Sequence, residues 1–311
     1  MTPTLIGLDW GTSSLRGYLM SADGTVIEQR SAGKGIMQVE GERFADALSA
    51  LCGDWLTAHP AATLIACGMI GSRQGWIEAP YCPCPANATA LAGQMARIDI
   101  GNGRMLHIVP GVSCVDPESG VPDVMRGEET QIIGAVSAEG ARLAVLPGTH
   151  SKWVWVEDGA IRRFSTWMTG EVYAALTQHT ILGRLMQKDA PHDAGAFARG
   201  TRYGFENPAR LLARIFSART LGLFGEIGST ALPSYLSGLL IGAEIGAACS
   251  ERTVLPALLL GSHSLTQRYQ LAFDLTGMDA APGPADCAAL GLHRLDAARQ
   301  CSARQSAGGS P

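Results

Sequence analysis

The chain has 311 residues, of which 46% are apolar and 17% charged, a balance that excludes a disordered chain and leaves room for one large domain or two lobes. A formal net charge of −4 removes bulk electrostatics as a reason to expect nucleic acid or an anionic membrane as partner. The 38 glycines stand well above the usual share of about 7% and point to many tight backbone approaches, as in proteins that bind phosphate through main-chain amides.

In chain order, the opening reads as a β-meander. Leu5–Asp9 is a short apolar strand, residues 11–14 supply turn chemistry, Leu15–Met20 is a second strand, and Asp23-Gly24 turns into a third at Val26–Gln29. Phe44, Leu48, Leu51 and Trp55 recur at helical spacing and predict a helix ending before Pro60. A strand at Thr63–Cys67 leads into the loop 68–76, a strand at Met105–Val109 follows, and a helix is predicted from Gly127 to Val136. At Arg142–Leu146 the order restarts: strand, Gly-Thr turn at 147–151, a strand carrying Trp153 and Trp155, a turn at Asp158-Gly159, and a strand at Ile161–Phe164. That recurrence, about one domain length downstream, suggests a duplication. Helices are predicted near Thr169–Leu185, Pro208–Leu221 and Pro233–Cys249, then a buried strand Val254–Leu260 and helices at Leu265–Thr276 and Pro284–Ala298. Residues 302–311 read as a flexible tail.

The eight cysteines lie at 52, 67, 82, 84, 114, 249, 287 and 301. Cys82-Pro83-Cys84 has neither zinc-knuckle nor redox spacing, so buried reduced thiols are expected. No basic segment followed by an apolar run opens the chain, and the apolar stretch 232–249 is interrupted by Glu244. The expectation is a cytoplasmic protein with no membrane partner.

Three turns carry candidate chemistry. In the first, Asp9 ends a strand and Gly11, Thr12, Ser13 and Ser14 bend the chain back, so that amides and hydroxyls can converge on phosphate while Asp9 holds Mg²⁺ through water. It lacks the P-loop spacing, and an ordinary hairpin turn is an equal reading of the string alone. In the second, Gly148-Thr149-His150-Ser151-Lys152 repeats Gly-Thr after an apolar strand and adds a cation. Two such turns facing across a cleft can clamp a nucleotide's phosphates. The third, Gly261-Ser262, lies between a buried strand and a helix, where bare backbone can admit an adenosine.

These three turns resemble the phosphate-1, phosphate-2 and adenosine elements of the superfamily of sugar kinases, heat-shock chaperones and actin. More closely, Gly68-Met69-Ile70-Gly71-Ser72, Gly75-Trp76, Ala79-Pro80-Tyr81, Arg126-Gly127-Glu128-Glu129-Thr130-Gln131, Pro147-Gly148-Thr149-His150, Lys152-Trp153, Met168-Thr169-Gly170-Glu171 and the run 236–244 resemble the 2-dehydro-3-deoxygalactonokinase family. The strings follow family order from Ile6 to about Leu295. The resemblance implies an α/β, two-lobed actin-like ATPase (ribonuclease H-like) fold with duplicated mixed β-sheet lobes and an ATP cleft between them. The expected lobes are 1–136, with the helix at 284–298 returning to it, and 137–283. The implied reaction is ATP-dependent phosphorylation of the 6-hydroxyl of 2-dehydro-3-deoxy-D-galactonate in galactonate catabolism, with ATP and Mg²⁺ as cofactors. A same-fold kinase for another 2-keto-3-deoxy sugar acid or sugar is the alternative, and a non-catalytic ATP-binding switch the third reading. A small-molecule substrate and ATP are the expected partners, with a homo-oligomer left open.

The resemblance also places the proton acceptor at the start of the helix linking the lobes, where Glu128 is the first candidate and Glu129 its rival; acids in a first helical turn are otherwise common as dipole partners. Asp9 is expected to organise metal and phosphate. The nucleotide set is Gly11, Thr12, Ser13, Ser14, Arg16, Gly148, Thr149, His150, Ser151, Lys152, Gly261 and Ser262, with Lys152 preferred over Arg16 as the phosphate cation. The substrate set is Gly71, Ser72, Arg73, Trp76, Tyr81, Arg126, Thr169, Gly170 and Glu171. Arg73 is expected to meet the substrate carboxylate; Trp76 and Tyr81 are candidate walls, although core packing is the better reading of either taken singly. Pro147 stands where many superfamily members carry an acid or glycine, so a stiffer second turn without an acidic metal ligand is expected.

Overall fold

The opening strands are held together by apolar runs and by one polar turn. In the computed structural model, which describes every residue except Met1, Asn102, 137–138, 251–254 and 309–311, β1 (Pro3–Trp10), β2 (Leu15–Ser21) and β3 (Val26–Ala32) form an antiparallel meander. Leu5, Ile6, Leu8 and Trp10 are all buried, so β1 is covered on both faces and reads as a continuous apolar run. The β2–β3 turn is fixed by Asp23, whose Oδ1 accepts from Ser21 Oγ (2.6 Å) and Thr25 N (3.0 Å), with Gly24 at φ +85°.

Helix α1 (Phe44–Ala58) buries Phe44, Leu48, Leu51 and Trp55, the predicted face. β4 (Thr63–Cys67) then pairs parallel with β1. There follow β5 (Tyr81–Pro83), α2 (Ala88–Gly93), β6 (Ala96–Asp99), β7 (Met105–Ile108), β8 (Gly111–Val115), β9 (Pro122–Met125) and α3 (Glu128–Ala135). The main sheet runs β3-β2-β1-β4-β7-β6, and β5-β8-β9 form a small sheet that the sequence did not predict.

The second half repeats this plan. β10 (Ala141–Leu146), β11 (Ser151–Glu157) and β12 (Ala160–Trp167) lie in the order β12-β11-β10, with β13 (Ala257–Leu259) parallel to β10 and β14 (Ala280–Pro282) parallel to β13. In both sheets the first strand of a three-strand run has the second strand on one side and a later parallel strand on the other. The duplication expected from the turns is a duplication of strand order.

Between and after these strands come α4 (Thr169–His179), α5 (Ala194–Glu206), α6 (Leu211–Arg214), α7 (Ser217–Leu223), α8 (Leu232–Ser250), α9 (His263–Thr276) and α10 (Cys287–Gly308). α5 and α8 meet through glycines: a Cβ at Gly200 or Gly204 would stand 2.1 Å from the carbonyl oxygens of Tyr235 and Leu239, and one at Gly238 or Gly242 equally close to those of Phe197 and Thr201. Only bare backbone permits that approach. α8 carries the one stretch among the described residues long and apolar enough to cross a membrane, Leu232–Cys249, and 78% of it is buried inside the fold, as befits a core helix.

Several boundaries differ from expectation. α4 stops at His179 rather than Leu185, and the helix expected over 208–221 is broken into a 3₁₀ turn, α6 and α7. The predicted strand 254–260 is seen at Ala257–Leu259, and Val254 lies outside the described residues. α10 runs to Gly308, ten residues past its expected end, so 302–308 is helical rather than a flexible tail. Its Ala, Gln and Arg residues are good helix formers; 309–311 lie outside the described residues. The chain divides into two compact units, one of Met1–Ala141, Trp155–Phe164 and Pro284–Pro311 and the other of Arg142–Val154 and Ser165–Gly283. The first unit thus extends beyond residue 136 and takes the tip of the β11–β12 hairpin, where Ala86 bridges Ile161 and Cys114 Sγ donates to Phe164 O (3.3 Å).

Candidate active site

In the first unit the phosphate-type turn is built from backbone. Gly11 N donates to Ser14 O (2.9 Å), and Ile36 N and Met37 N donate to Gly11 O and Thr12 O (3.0 and 3.2 Å). A Cβ at Gly35 would fall 2.3 Å from Ser13 N, so the following segment lies directly on the turn. These bonds fix the main chain and leave the Thr12 and Ser13 side chains exposed. Asp9, at the end of β1, is partly covered and pairs with the more exposed Arg16 at 3.7 Å. Burial raises the Asp9 carboxyl above its ordinary range, and Arg16 opposes the rise.

Parallel pairing sets Cys67 beside Asp9, with Sγ 4.0 Å from Oδ1. Burial and the charges of Asp9 and Glu129 hold that thiol well above its usual range, so it stays protonated and can donate. Two left-handed glycines close the gap behind it. A Cβ at Gly68 (φ +92°) would stand 2.7 Å from Trp10 O, and one at Gly127 (φ +108°) would stand 3.2 Å from Gly68 Cα. The start of α3 is thereby brought against the end of β1. There Glu128 is half-buried and its Oε2 accepts from Arg126 N (3.1 Å). Glu129 is fully buried and accepts from Gly127 N (2.6 Å) and Thr130 Oγ1 (2.9 Å). Burial first, and the Glu128 charge second, push Glu129 up to about 8. Cys67 and Thr130 were not among the sequence candidates; nothing short of the strand pairing would have marked the thiol.

The expected sugar-acid loop is reassigned in part. Arg73 is 87% exposed and 3.5 Å from Glu78, so it stands in solvent rather than in a pocket. Trp76 is no pocket wall: it stacks on Phe44 (6.0 Å) and meets Trp10 edge-on (6.4 Å), because Trp76 N donates to Ile70 O and folds the loop back onto the core. Tyr81 does lie at the surface, its ring 4.4 Å from the Arg126 guanidinium carbon. Arg126 is only 9% exposed; Nη2 donates to Ala79 O (2.8 Å), while Nε, Nη1 and the nearby Ser72 Oγ are buried without a hydrogen-bond partner. Gly71 is buried against it, since a Cβ there would come 3.0 Å from Nη1.

In the second unit the turn at 148–150 meets the start of α4. Gly170 approaches so closely that a Cβ would stand 2.4 Å from Gly148 O, and Glu171 N donates to Thr149 O (3.0 Å). At the exposed tip His150 Nε2 lies 2.5 Å from Glu171 Oε2. The late turn joins them: Gly261 (φ +129°) would bring a Cβ 3.6 Å from Pro147 O, and Ser262 precedes α9. Gly148, Thr169, Gly170, Tyr173, Leu265 and Arg268 are among the residues around a cavity of about 70 Å³.

Two expected phosphate contacts face inward instead. Ser151 Oγ is buried 2.8 Å from Tyr269 Oη, and Lys152 is buried with Nζ donating to Thr166 Oγ1 (2.9 Å). Both residues belong to β11 rather than to the turn, so their side chains enter the sheet's packing. A further buried acid, absent from the sequence candidates, organises this unit. Glu244 accepts from Trp153 Nε1 (2.8 Å) and Tyr269 Oη (2.7 Å) and also from Thr169 Oγ1, and burial raises its pKa despite those donors.

The chain is similar to known proteins along most of its length. The family model described as 2-keto-3-deoxy-galactonokinase matches residues 9–295. The 2-dehydro-3-deoxygalactonokinase of Escherichia coli (strain K12) is 35% identical over 289 residues, covering 93% of this chain and 95% of that one. A Rhizobium meliloti (strain 1021) protein assigned the same activity is 37% identical over 286 residues, 90% of this chain and 92% of that one. Among solved structures, a Sinorhizobium meliloti protein assigned as 2-dehydro-3-deoxygalactonokinase superposes with a TM-score of 0.83 at 34% identity, covering 96% of this chain and 99% of that chain. Component A of the Acidaminococcus fermentans (R)-2-hydroxyglutaryl-CoA dehydratase shares the fold alone, at TM-score 0.50 and 12% identity over 97% of this chain and 100% of that one.

Proposed function

Because the chain belongs to the 2-keto-3-deoxy-galactonokinase family, we propose that it transfers the γ-phosphoryl group of ATP to the 6-hydroxyl of 2-dehydro-3-deoxy-D-galactonate, with Glu128 taking the hydroxyl proton. The observation that carries this reading is the meeting of a backbone-built turn, Asp9 and the first turn of α3 through the bare backbones of Gly68 and Gly127. Phosphoryl transfer asks little covalent chemistry of a protein: it needs the acceptor oxygen in line, charge neutralised and a proton removed.

Glu129 is the weaker base. Both its oxygens already accept hydrogen bonds, no part of it reaches solvent, and with a pKa near 8 it is largely protonated at neutral pH. Its place is to hold Gly127 N and so orient the start of α3. Glu128, half-buried one residue earlier, accepts the proton as the acceptor oxygen bonds to phosphorus and the bond to the departing ADP breaks. Asp9 is the carboxylate for Mg²⁺. If Mg²⁺ binds there, Asp9 is the residue of this turn that would hold it. That ion, when bound, would neutralise charge on the transferring group. Within the first unit the turn at 11–14 offers amides and hydroxyls to phosphate, and within the second the turns at 148–150 and 261–262 offer the same chemistry.

A coupled ADP-release assay across 2-keto-3-deoxy sugar acids tests the reading. Glu128→Gln should lower kcat roughly 10²–10⁴-fold while ATP still binds by calorimetry. A near-normal rate in Glu128→Gln, with loss in Glu129→Gln and a wild-type rate climbing through pH 8, would move the base to Glu129. Wild-type protein that turns over no such acid would end the kinase assignment.

A further inference from the structure

Resting on that reading, we infer that Arg126, with Ser72 in the adjoining loop, is the subsite for the substrate's carboxylate. A guanidinium stays charged at any physiological pH, and burying it without partners is costly. Arg126 is nine-tenths buried, yet only Nη2 is satisfied, by a neutral carbonyl. Nε and Nη1 donate to nothing, and Ser72 Oγ, in the loop that runs against this guanidinium, is equally without a partner. Buried polar groups in native proteins are rarely orphaned, so two bare donors on one buried cation mark the place of an absent anion. A carboxylate accepts from one edge of the guanidinium, through Nε or through Nη1, and supplies the missing counter-charge.

The surroundings are shaped for the purpose. The Gly71 backbone lies against Nη1, where a Cβ would come within 3.0 Å, and the Tyr81 ring covers the guanidinium carbon at 4.4 Å. Tyr81 is 40% exposed, so the ring that covers the guanidinium carbon is itself at the protein surface. Arg126 is also two residues from Glu128, whose Oε2 accepts from its backbone N–H. One backbone turn therefore carries the counter-ion for one end of the sugar acid and the proposed base for the other. Arg73, solvated and beside Glu78, cannot discriminate charge in this way.

The test compares 2-dehydro-3-deoxy-D-galactonate with its neutral C1 amide. Wild type should favour the acid roughly 10- to 100-fold in kcat/KM, the range expected for a charge-assisted pair. Arg126→Met should abolish most of that preference, chiefly through KM for the acid, with little change for the amide. Arg126→Lys should restore part of it, and Ser72→Ala should reduce it by a smaller factor. A folded Arg126→Met protein that keeps the wild-type acid-to-amide ratio overturns the inference. If melting shows that this variant does not fold, an unchanged ratio in Ser72→Ala overturns it instead. Wild type that accepts acid and amide equally removes the subsite but leaves the kinase standing, whereas turnover of neither brings down both.

Discussion

The β1–β2 and β10–β11 turns repeat one strand order and dispose of their charges in opposite ways. In the first, Asp9 and Arg16 flank the turn and pair across it at 3.7 Å, next to exposed Thr12 and Ser13 hydroxyls. In the second, the strand ends in buried Leu146 and Pro147, and Ser151 and Lys152 bond inward to Tyr269 and Thr166. The backbone path was repeated, while the ionic work was divided. The first turn keeps a carboxylate and a cation beside it, and the second has the His150–Glu171 pair at its tip.

Of the two turns, the first should therefore carry the larger effect. Asp9→Asn is expected to lower kcat roughly 10²–10³-fold with the fold intact, the scale seen when one preorganised charge-stabilising group is removed. Lys152→Met, a similar shape without charge, should leave kcat within several-fold of wild type and register mainly as a small change in melting temperature. Steady-state kinetics on both variants decides the matter. If Lys152→Met loses as much kcat as Asp9→Asn, the two turns share the ionic work after all.

Which parts of this contrast were legible beforehand follows from what local sequence encodes. Turn chemistry at Asp23-Gly24 and Asp158-Gly159 and the i, i+4 face of α1 are local signals, and they placed both meanders and the first helix correctly. The direction of Lys152 is not local: it depends on whether β11 begins before or after it, and a Gly-Thr-His-Ser-Lys string reads the same either way. α5 was missed because Gly195, Gly200 and Gly204 look like helix breakers, whereas two of them are points of close approach to α8. Cys67 sits 58 residues from Asp9 and meets it only through parallel pairing. Core packing was the better reading of Trp76 from sequence, but its stacking partner Phe44 lies on another element and no local signal names it.

A second contrast concerns the two buried acids, Glu129 in the first unit and Glu244 in the second. Both have pKa values raised by burial, but Glu244 is met by neutral side-chain donors and Glu129 has the like-charged Glu128 beside it. For a carboxyl whose pKa is higher folded than unfolded, the folded state holds the proton more tightly. Its contribution to stability is complete below the unfolded value and is lost as pH rises through the folded one. For Glu129 that window runs from the ordinary glutamate value of 4.5 to about 8. Glu129→Gln, which cannot ionise, should flatten the fall in stability across it, by on the order of a few kcal/mol between the two ends. Urea unfolding at pH 5 and pH 8 measures this. An unchanged slope would mean that Glu129 is already ionised at neutral pH, and the case for Glu128 as base would weaken with it.

The smallest expected effect belongs to the one ionic feature the second turn does display. His150 and Glu171 are 2.5 Å apart but 48% and 50% exposed, and water screens such a pair to at most about 1 kcal/mol. The backbone beneath them is already fastened, since Glu171 N donates to Thr149 O and Gly170 packs on Gly148 O, so the side chains are not needed to hold α4 against the turn. His150→Gln should accordingly shift the melting temperature only slightly and change KM for ATP by less than about tenfold. A larger rise in that KM, confined to ATP and leaving the sugar acid unaffected, would show that His150 engages the nucleotide directly. The second turn would then carry charge of its own, moved from the strand end to the tip rather than given up.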